Sequence, residues 1–549
     1  MREHSSRGQV HHQMRESSQR QLREQDSIKI AARHSDLARL QAYQVGEALK
    51  KANPGLTVDY AFRASLGDLN QQDALWKMPE KGVFTEDFLL DLESGACDMV
   101  VHSWKDLPTH ERGLTEIVAT LRRADVRDLL LFRRDRVEAA KSSKAVRILT
   151  SSPRRVHNLG EFLKEHLPLG LNRVDFEPVR GNIPTRLKKL LNQNVDGLIV
   201  AKAAIDRLLE AEGDEFHDVQ EVIRHALSQT KFMVLPLFAN PTAAAQGALA
   251  IEIRRDRAEL REILQKINCA ETFATVTRER EILASYGGGC HQKIGVNVLD
   301  RPYGRLTFLR GLTDTGENLD RVELSAKGSQ PQASIASEIY PEFESTDGFF
   351  TRHPLERESW ASAESEHFLW VSRDSAWPES FRAEENAIVW AAGLKTWRKL
   401  SERGIWVCGS AEGLGEDEDT RLAALVSGSA PGLVADLVSD LVPDLVLGEL
   451  KWKRLAHQGA SQSGLAVATY QLVPKTEGPD LRNKSHFYWM SGSQFDRALE
   501  VFPEIADRHH ACGPGKTYAH IRKQLGAQGS LQIHLNLGAW RRAVLPRSE

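Results

Sequence analysis

The chain reads as an α/β protein of several lobes. Three observations carry that reading. Short apolar strands alternate with helical patterns of 3.6-residue period from Ile28 onward, the same alternation restarts near residue 145, and a strand–glycine–helix unit recurs twice beyond residue 390. A length of 549 residues fits about three to five domains at roughly 100–200 residues each. The hydrophobic share of 41%, before 39 glycines are added, provides each domain with a core and excludes a disordered or fibrous chain.

The first strand, Ile28 to Ala32, runs through Arg33-His34-Ser35-Asp36 into a helix with Leu37, Leu40, Val45 and Leu49 on one face. A second strand follows (Val58 to Phe62), then a Lys-Gly loop, an amphipathic helix from Phe84 to Ser94, and a buried strand from Met99 to His102 that ends in Ser103-Trp104-Lys105-Asp106. This order predicts a mainly parallel sheet covered by helices. The second lobe repeats the plan: strand Val146 to Leu149, a helix from Ser152, the loop Arg180-Gly181-Asn182, a helix from Pro184 to Asn192, and strand Gly197 to Ala201. Ala248 to Ile253 then reads as a strand returning to the first sheet. A helix from Ala270 to about Tyr286 and alternating strands near 294–299, 306–312 and 320–325 predict a small α+β domain.

Residues 341–365, acidic and aromatic without period, read as a linker. Beyond them Gly393-Leu394-Lys395-Thr396-Trp397 enters a helix ending at Gly404, and Gly513-Pro514-Gly515-Lys516-Thr517-Tyr518 one ending at Gly526, so two similar α/β halves are expected. Leu433 to Val446 reads as an amphipathic helix interrupted at Pro443.

Lys+Arg (72) nearly balance Asp+Glu (75), so no global field points to nucleic acid or an anionic membrane, and any anion site must be local. Five cysteines (97, 269, 290, 408 and 512) show no C-x-x-C spacing, which argues against a disulfide framework or a thiolate metal site and fits a reducing, cytoplasmic setting. No apolar run reaches the ~18 residues of a membrane span. Residues 1–27, rich in Arg, Gln, Ser and His, lack a signal-peptide core and read as a disordered tail or a start codon placed too early.

Five loops at strand ends or helix starts carry cations or hydroxyls: Arg33/Ser35, Lys77/Lys81, Lys105, Thr150-Ser151-Ser152-Pro153-Arg154-Arg155, and Arg180/Arg186. Ligands of open α/β sheets bind at the carboxyl ends of strands. Ser152 suits an N-cap and Pro153 the first helical position, leaving free N–H groups beside two guanidinium groups, as a carboxylate or phosphate requires. A single loop arginine is most often solvated surface; five such loops at one structural position argue for an anion cleft. Asp106 stands among these cations, able to stabilise a cationic intermediate or shuttle a proton, although a lone Asp is more often a cap or ion-pair partner. Cys290 follows three glycines in an accessible loop, whereas the other cysteines have apolar or helical surroundings.

The motifs Arg33-His34-Ser35, Glu80-Lys81-Gly82-Val83-Phe84, Val101-His102-Ser103-Trp104-Lys105-Asp106-Leu107-Pro108, Thr150 to Arg155, Arg180-Gly181-Asn182-Ile183-Pro184-Thr185-Arg186 and Gly288-Gly289-Cys290 resemble, in order, those of hydroxymethylbilane synthases (porphobilinogen deaminases), over about residues 28 to 340. Two periplasmic-binding-protein-like α/β lobes plus a small α+β domain are what the resemblance implies, with porphobilinogen as substrate and a dipyrromethane cofactor on Cys290. Asp106 would be the catalytic carboxylate. Ser35, Ser103, Lys105, Thr150, Ser151, Arg154 and Arg155 would hold the cofactor together with Asp106, and Arg33, Lys77, Lys81, Arg180 and Arg186 the substrate.

The second half resembles uroporphyrinogen-III synthases through the Gly-x-x-Thr start near Thr396, Val467-Ala468-Thr469-Tyr470-Gln471-Leu472-Val473-Pro474 and Cys512-Gly513-Pro514-Gly515-Lys516-Thr517, with Thr396, Tyr470 and Thr517 as the implied donors. The family's opening βα segment is not recognisable between 341 and 365. Gly515-Lys516-Thr517 is not a P-loop, because position 510 is His where that motif needs Gly. The expected division is a tail (1–27), a first domain (28–121 with 246–266), a second (122–245), a third (267–340), a linker (341–365) and an α/β domain pair (366–549). Three readings stand: a bifunctional enzyme that also closes the tetrapyrrole ring, a synthase with a degenerate or docking C-terminal half, and a non-catalytic solute-binding protein. A monomer without metal, nucleic-acid or membrane partner is expected in each.

Overall fold

The computed structural model describes residues 27–64, 86–110, 112–288, 292–325, 335–342, 348–415, 418–429, 450–459 and 465–545. Strand β1 (Ser27–Arg33) leads into helix α1 (Asp36–Ala52), which buries Leu40, Val45 and Leu49 beneath the sheet; β2 (Thr57–Arg63), α2 (Glu86–Ser94), β3 (Met99–Ser103) and β4 (Thr115–Ala119) follow. The chain then builds a second unit from β5 (Asp128–Arg133), α3 (Val137–Ser143), β6 (Ala145–Leu149), α4 (Pro153–His166), β7 (Arg173–Glu177), α5 (Ile183–Asn192), β8 (Gly197–Ala201), α6 (Lys202–Leu209), α7 (His217–Ser228) and β9 (Thr230–Leu235). It returns as β10 (Leu249–Arg254), which inserts between β3 and β4.

The two five-stranded sheets have the same plan, β2-β1-β3-β10-β4 and β7-β6-β8-β5-β9. In each, four strands run in one direction and a single strand runs against them, β10 between β3 and β4, and β5 between β8 and β9. The expectation of mainly parallel sheets holds for four of the five strands and is corrected for the fifth, which makes each sheet mixed. A strand that enters a sheet directly after crossing from the other lobe starts at the cleft side and runs back against its neighbours. Alternation of strand and helix along the sequence does not register that reversal.

Helix α8 (Ala258–Gln265) closes the first lobe, and α9 (Ala270–Ser285) packs on the antiparallel meander of β11 (Gly295–Arg301), β12 (Gly304–Leu312) and β13 (Asn318–Ser325). The fully buried Glu279 of α9 ties this unit to both crossovers: it accepts from Arg123 at 2.7 and 2.8 Å, from Ala245 N at 2.8 Å and from Val298 N at 2.8 Å.

Beyond residue 335 the structure departs from the expected boundaries. Ser27, read as tail, is the first residue of β1 and pairs with Thr57. Strand β14 (Ile339–Tyr340), read as the end of the third domain, pairs in parallel with β21 (His486–Trp489) in a four-stranded sheet completed by β22 (His509–Cys512) and β23 (Leu531–Ile533). The segment read as a linker holds strand β15 (Phe350–Pro354) and the buried Trp360. β15 pairs antiparallel with β20 (Ala466–Pro474) at the edge of a six-stranded sheet that continues through β19 (Lys453–His457), β16 (Phe368–Val371), β17 (Ile388–Ala391) and β18 (Gly409–Ser410). Without alternation over a longer run, the five residues of β15 carry no strand signal; the partner β20, more than a hundred residues away, supplies it. The helices of this half are α10 (Leu394–Glu402), α11 (Ala423–Ser429), α12 (Gly492–Val501), α13 (Lys516–Leu525) and α14 (Leu537–Val544). Residues 433–446 lie outside the described residues.

The C-terminal half is not a bead on a tether. A backbone bond, Val234 N to Cys408 O at 2.8 Å, joins edge strand β9 to the approach of β18. Helix α10 lies on α4, where Trp397 Nε1 and Ser401 Oγ donate to His166 O at 3.2 and 2.7 Å, and Phe162, Leu163 and Leu167 share a core with Trp397 and Leu400. Helix α11 adds Leu425 and Val426 to the core formed by Phe216, Ile223 and Leu227.

Candidate functional site

Between the two five-stranded lobes lies a cleft of about 500 Å³. Its walls are strand ends and helix starts. From the first lobe come Arg33 at the end of β1, Ser35 at the N-cap of α1, and Ser103, Lys105 and Asp106 where β3 passes into a one-turn 3-10 helix, Trp104–Asp106. From the second come Arg155 of α4, the loop Arg180 to Arg186 that opens α5, and Val200, Ala201, Ala204 and Leu208 of β8 and α6. Among the described residues five cations (Arg33, Lys105, Arg155, Arg180, Arg186) and two carboxylates (Asp36, Asp106) line the cleft, and the N-termini of α1 and α5 add partial positive charge. Such a cleft fits a ligand with several carboxylates.

Local chemistry explains the shape of the α5 loop. Asn182 caps α5 by accepting from Thr185 N at 3.0 Å, and Pro184 sits in the first turn, where no N–H is needed. Gly181 has φ +109°, and a Cβ there would lie 2.6 Å from Thr185 Cγ2, so only glycine lets the chain turn this closely. Arg186 Nε donates to Gly181 O at 2.8 Å, which aims the rest of its guanidinium into the cleft.

Burial dominates the electrostatics of the cleft. Burial lowers the pKa of Lys105, with Asp106 opposing and Arg155 reinforcing. Burial, with Arg155 next, brings Arg186 down to about 10, again against the pull of Asp106. Lys105 Nζ donates to Gln246 Oε1 at 3.3 Å and Ser103 Oγ to Gln41 Oε1 at 3.1 Å, while Arg180 Nη1 is buried with no hydrogen-bond partner among the described residues. A buried guanidinium nitrogen beside other cations is suited to a carboxylate acceptor.

Not every residue read from the sequence reaches the cleft. Ser151 Oγ donates to Val179 O and accepts from Val179 N at 2.9 Å, and Thr150 Oγ1 accepts from Ser152 N at 3.4 Å, so both hydroxyls pin the loop from inside. Ser152 is the N-cap of α4 as expected, but Arg154 turns inward, donating to Asn240 Oδ1 (2.7 Å), Pro241 O (2.9 Å) and Asp128 Oδ2 (2.9 Å). Arg155 spends Nε and Nη2 on Asp128 (3.0 and 2.6 Å) and Nη1 on Ile199 O (2.9 Å), showing only an edge to the cleft. The centre of this cluster, Asp128, was missed in the sequence. Burial would raise its carboxyl pKa, but Arg155 and Arg154 outweigh that and hold it far below the usual range. Its signal was an Asp heading the otherwise apolar run Leu129 to Phe132. Lys77, Lys81 and Cys290 lie outside the described residues.

In the C-terminal half, Thr396 and Thr517 occupy the first turns of α10 and α13, the former buried and the latter half-buried. The loops ahead of them meet through residues 413–415: a Cβ on Gly393 would lie 3.8 Å from Gly413 N, and one on Gly415 3.3 Å from Gly515 Cα. Tyr470 is instead on the ladder strand β20, buried beside His457 with ring centroids 6.0 Å apart.

Among the described residues no helix is long and apolar enough to cross a membrane, and no group of three or more His, Cys, Asp or Glu is placed to hold a metal. Residues 28–262 match the family model described as porphobilinogen deaminase, dipyromethane cofactor binding domain. The chain is 32% identical over 310 residues to a porphobilinogen deaminase of Syntrophomonas wolfei, covering 56% of this chain and 92% of that protein. It is 33% identical to those of Synechococcus sp. (strain CC9311) and Mycolicibacterium gilvum, covering 90% and 95% of their lengths and 56% and 57% of this chain. With the cation-lined cleft inside the matched region, the chain belongs, through its N-terminal 56%, to the porphobilinogen deaminase family.

Proposed function

We propose that the inter-lobe cleft is a hydroxymethylbilane synthase site that joins porphobilinogen units head to tail, with dipyrromethane as cofactor. The observation that carries this is the excess of cations over carboxylates in the cleft, with Arg180 Nη1 left unpartnered. Each pyrrole carries an acetate and a propionate, so a growing chain brings carboxylates in pairs. Arg33, Lys105, Arg180 and Arg186 are the groups that receive them, while Arg155 stays paired with Asp128 at their edge. When bound through Cys290, the dipyrromethane supplies the primer from which the chain grows and remains when product leaves. Asp106 is exposed in the cleft and close enough to Lys105 and Arg186 to oppose the lowering of their pKa values by burial. As porphobilinogen loses ammonia its methylene carbon becomes cationic, and the fixed Asp106 carboxylate stabilises that charge without reorganisation.

For the C-terminal half the proposal is ring closure of the uroporphyrinogen-III synthase type. It is supported by the convergence of the glycine loops that start α10 and α13, with Thr396 and Thr517 beside them. Tyr470 would act from the ladder. The core shared with α4 and α7 supports the second reading, a half that braces the synthase lobe.

Intact mass spectrometry tests the first proposal. The purified chain is expected to carry two linked pyrroles on Cys290, and an unmodified chain from haem-competent cells would overturn it. Asp106→Asn is expected to retain porphobilinogen binding while turnover falls by ~10²–10⁴-fold. For the C-terminal half the product isomer decides: only the type I ring from porphobilinogen alone means that ring closure is not catalysed.

A further inference from the structure

A second concentration of charge lies outside the cleft, where the second lobe meets the C-terminal half. Lys202, the first residue of α6, is fully buried. An ammonium has three donors, and three acceptors surround this one: Asp206 Oδ2 at 2.6 Å, Asp125 Oδ2 at 3.4 Å, and the main-chain carbonyl of Arg421. Arg127 stands beside it, paired with Asp125 at 2.7 Å and donating to the carbonyl of Thr420 at 2.8 Å. Two consecutive carbonyls of the C-terminal half therefore complete the shells of two buried cations of the synthase lobe. They are aimed by backbone geometry, since Arg421 has φ +51° while its own side chain is exposed.

This junction is the outer side of the cleft wall. Lys202 N also donates to Arg127 O at 3.1 Å, Ala204 and Leu208 of the same helix line the cleft, and Arg207 reaches Gly247 O at 2.8 Å on the return crossover. Helix α6 is thus held from behind by the C-terminal half and faces substrate on its other side. We propose that the C-terminal half is a working part of the deaminase: the carbonyls of Thr420 and Arg421 cap Arg127 and Lys202, and Lys202 is a positioning residue that sets α6 against the cleft. The inference is independent of whether the C-terminal half closes rings; only its kinetic arm rests on the deaminase reading.

The test uses the full-length holoprotein. Proline cannot adopt φ +51°, being locked near −65°, so Arg421→Pro withdraws the carbonyl, whereas Arg421→Gly keeps both backbone and carbonyl. Arg421→Pro is expected to raise KM for porphobilinogen about tenfold, as for loss of one charged hydrogen bond, with kcat nearly unchanged, and Arg421→Gly to restore KM. Amide exchange across 202–209 should quicken in the proline variant. In a Lys202→Met background, where no buried ammonium needs a cap, Arg421→Pro should add no further change. Additive effects of the two substitutions, or a lower melting temperature with KM and α6 protection at the wild-type level, would overturn the inference. If Arg421→Pro does not fold, Lys202→Met alone decides, an unchanged KM again overturning it. A wild-type chain that does not consume porphobilinogen would refute the deaminase reading and leave the exchange experiment to judge the junction.

Discussion

The inter-lobe cleft and the junction behind α6 are both built from arginine, lysine and aspartate, yet they do opposite things. In the cleft, among the described residues, five cations meet two carboxylates and a guanidinium nitrogen of Arg180 is left without a partner. At the junction Arg127 and Lys202 meet Asp125 and Asp206 out of water, and main-chain carbonyls take the remaining donors. Imbalance and access define a binding site, whereas balance and burial define structure. The pair Arg154-Arg155 shows how narrow the difference is, because both are adjacent to the cleft in sequence but belong mainly to the buried carboxylate of Asp128.

The largest expected effect comes from breaking the balanced kind of cluster. Asp128→Ala leaves two buried guanidinium groups unpaired and is expected to cost about 3–5 kcal/mol of stability, read by thermal or denaturant unfolding. A loss below the resolution of such a melt would mean that Arg154 and Arg155 are solvated and available to ligand. Next is the unbalanced kind: Arg180→Ala is expected to raise KM for porphobilinogen by roughly 10–100-fold, the worth of a charge-assisted hydrogen bond, with the melting temperature little changed. A stability loss instead would place Arg180 with the structural cations.

A smaller effect separates the regions by pH. Burial lifts the Glu412 carboxyl from 4.5 to about 7, against the N–H groups of Phe238 and Leu237 and the charge of Arg127, with Glu418 adding to the rise. The folded chain then holds a proton there that the unfolded chain has released. That contribution is complete below pH 4.5 and is lost as pH rises through about 7, so the junction should weaken between those values. Glu412→Gln is expected to flatten this slope and to raise the melting temperature at neutral pH by ~2–4 °C; an unchanged slope would show that the carboxylate is solvated. Smallest is Ser151→Ala, whose two bonds are internal to the loop: about 1 kcal/mol of stability and no change in KM. A KM change would return Ser151 to the cleft.

Much of this molecule is legible in the chain itself. Strand β3 and the turn Trp104–Asp106, the N-cap Ser152 with Pro153, and the Asn182–Pro184 start of α5 follow from local rules, because propensity and capping act over a few residues. So do the two glycine-led helices α10 and α13. What eluded the sequence depends on partners distant along the chain. β15 is a strand because β20 lies beside it, and β14 belongs to the last sheet rather than to the third domain.

By itself, then, the sequence determined an α/β protein with cation-bearing loops at its strand ends and Asp106 among them. Only the tertiary structure decided which cations line the cleft. Arg33, Lys105, Arg180 and Arg186 face it, while Arg154 and Lys202 are enclosed by Asp128, Asp125 and Asp206 and by carbonyls from the far end of the chain. The physical reason is that a loop's residue types are a local property, whereas the function of a charge depends on desolvation and on counter-charges assembled only when distant segments pack.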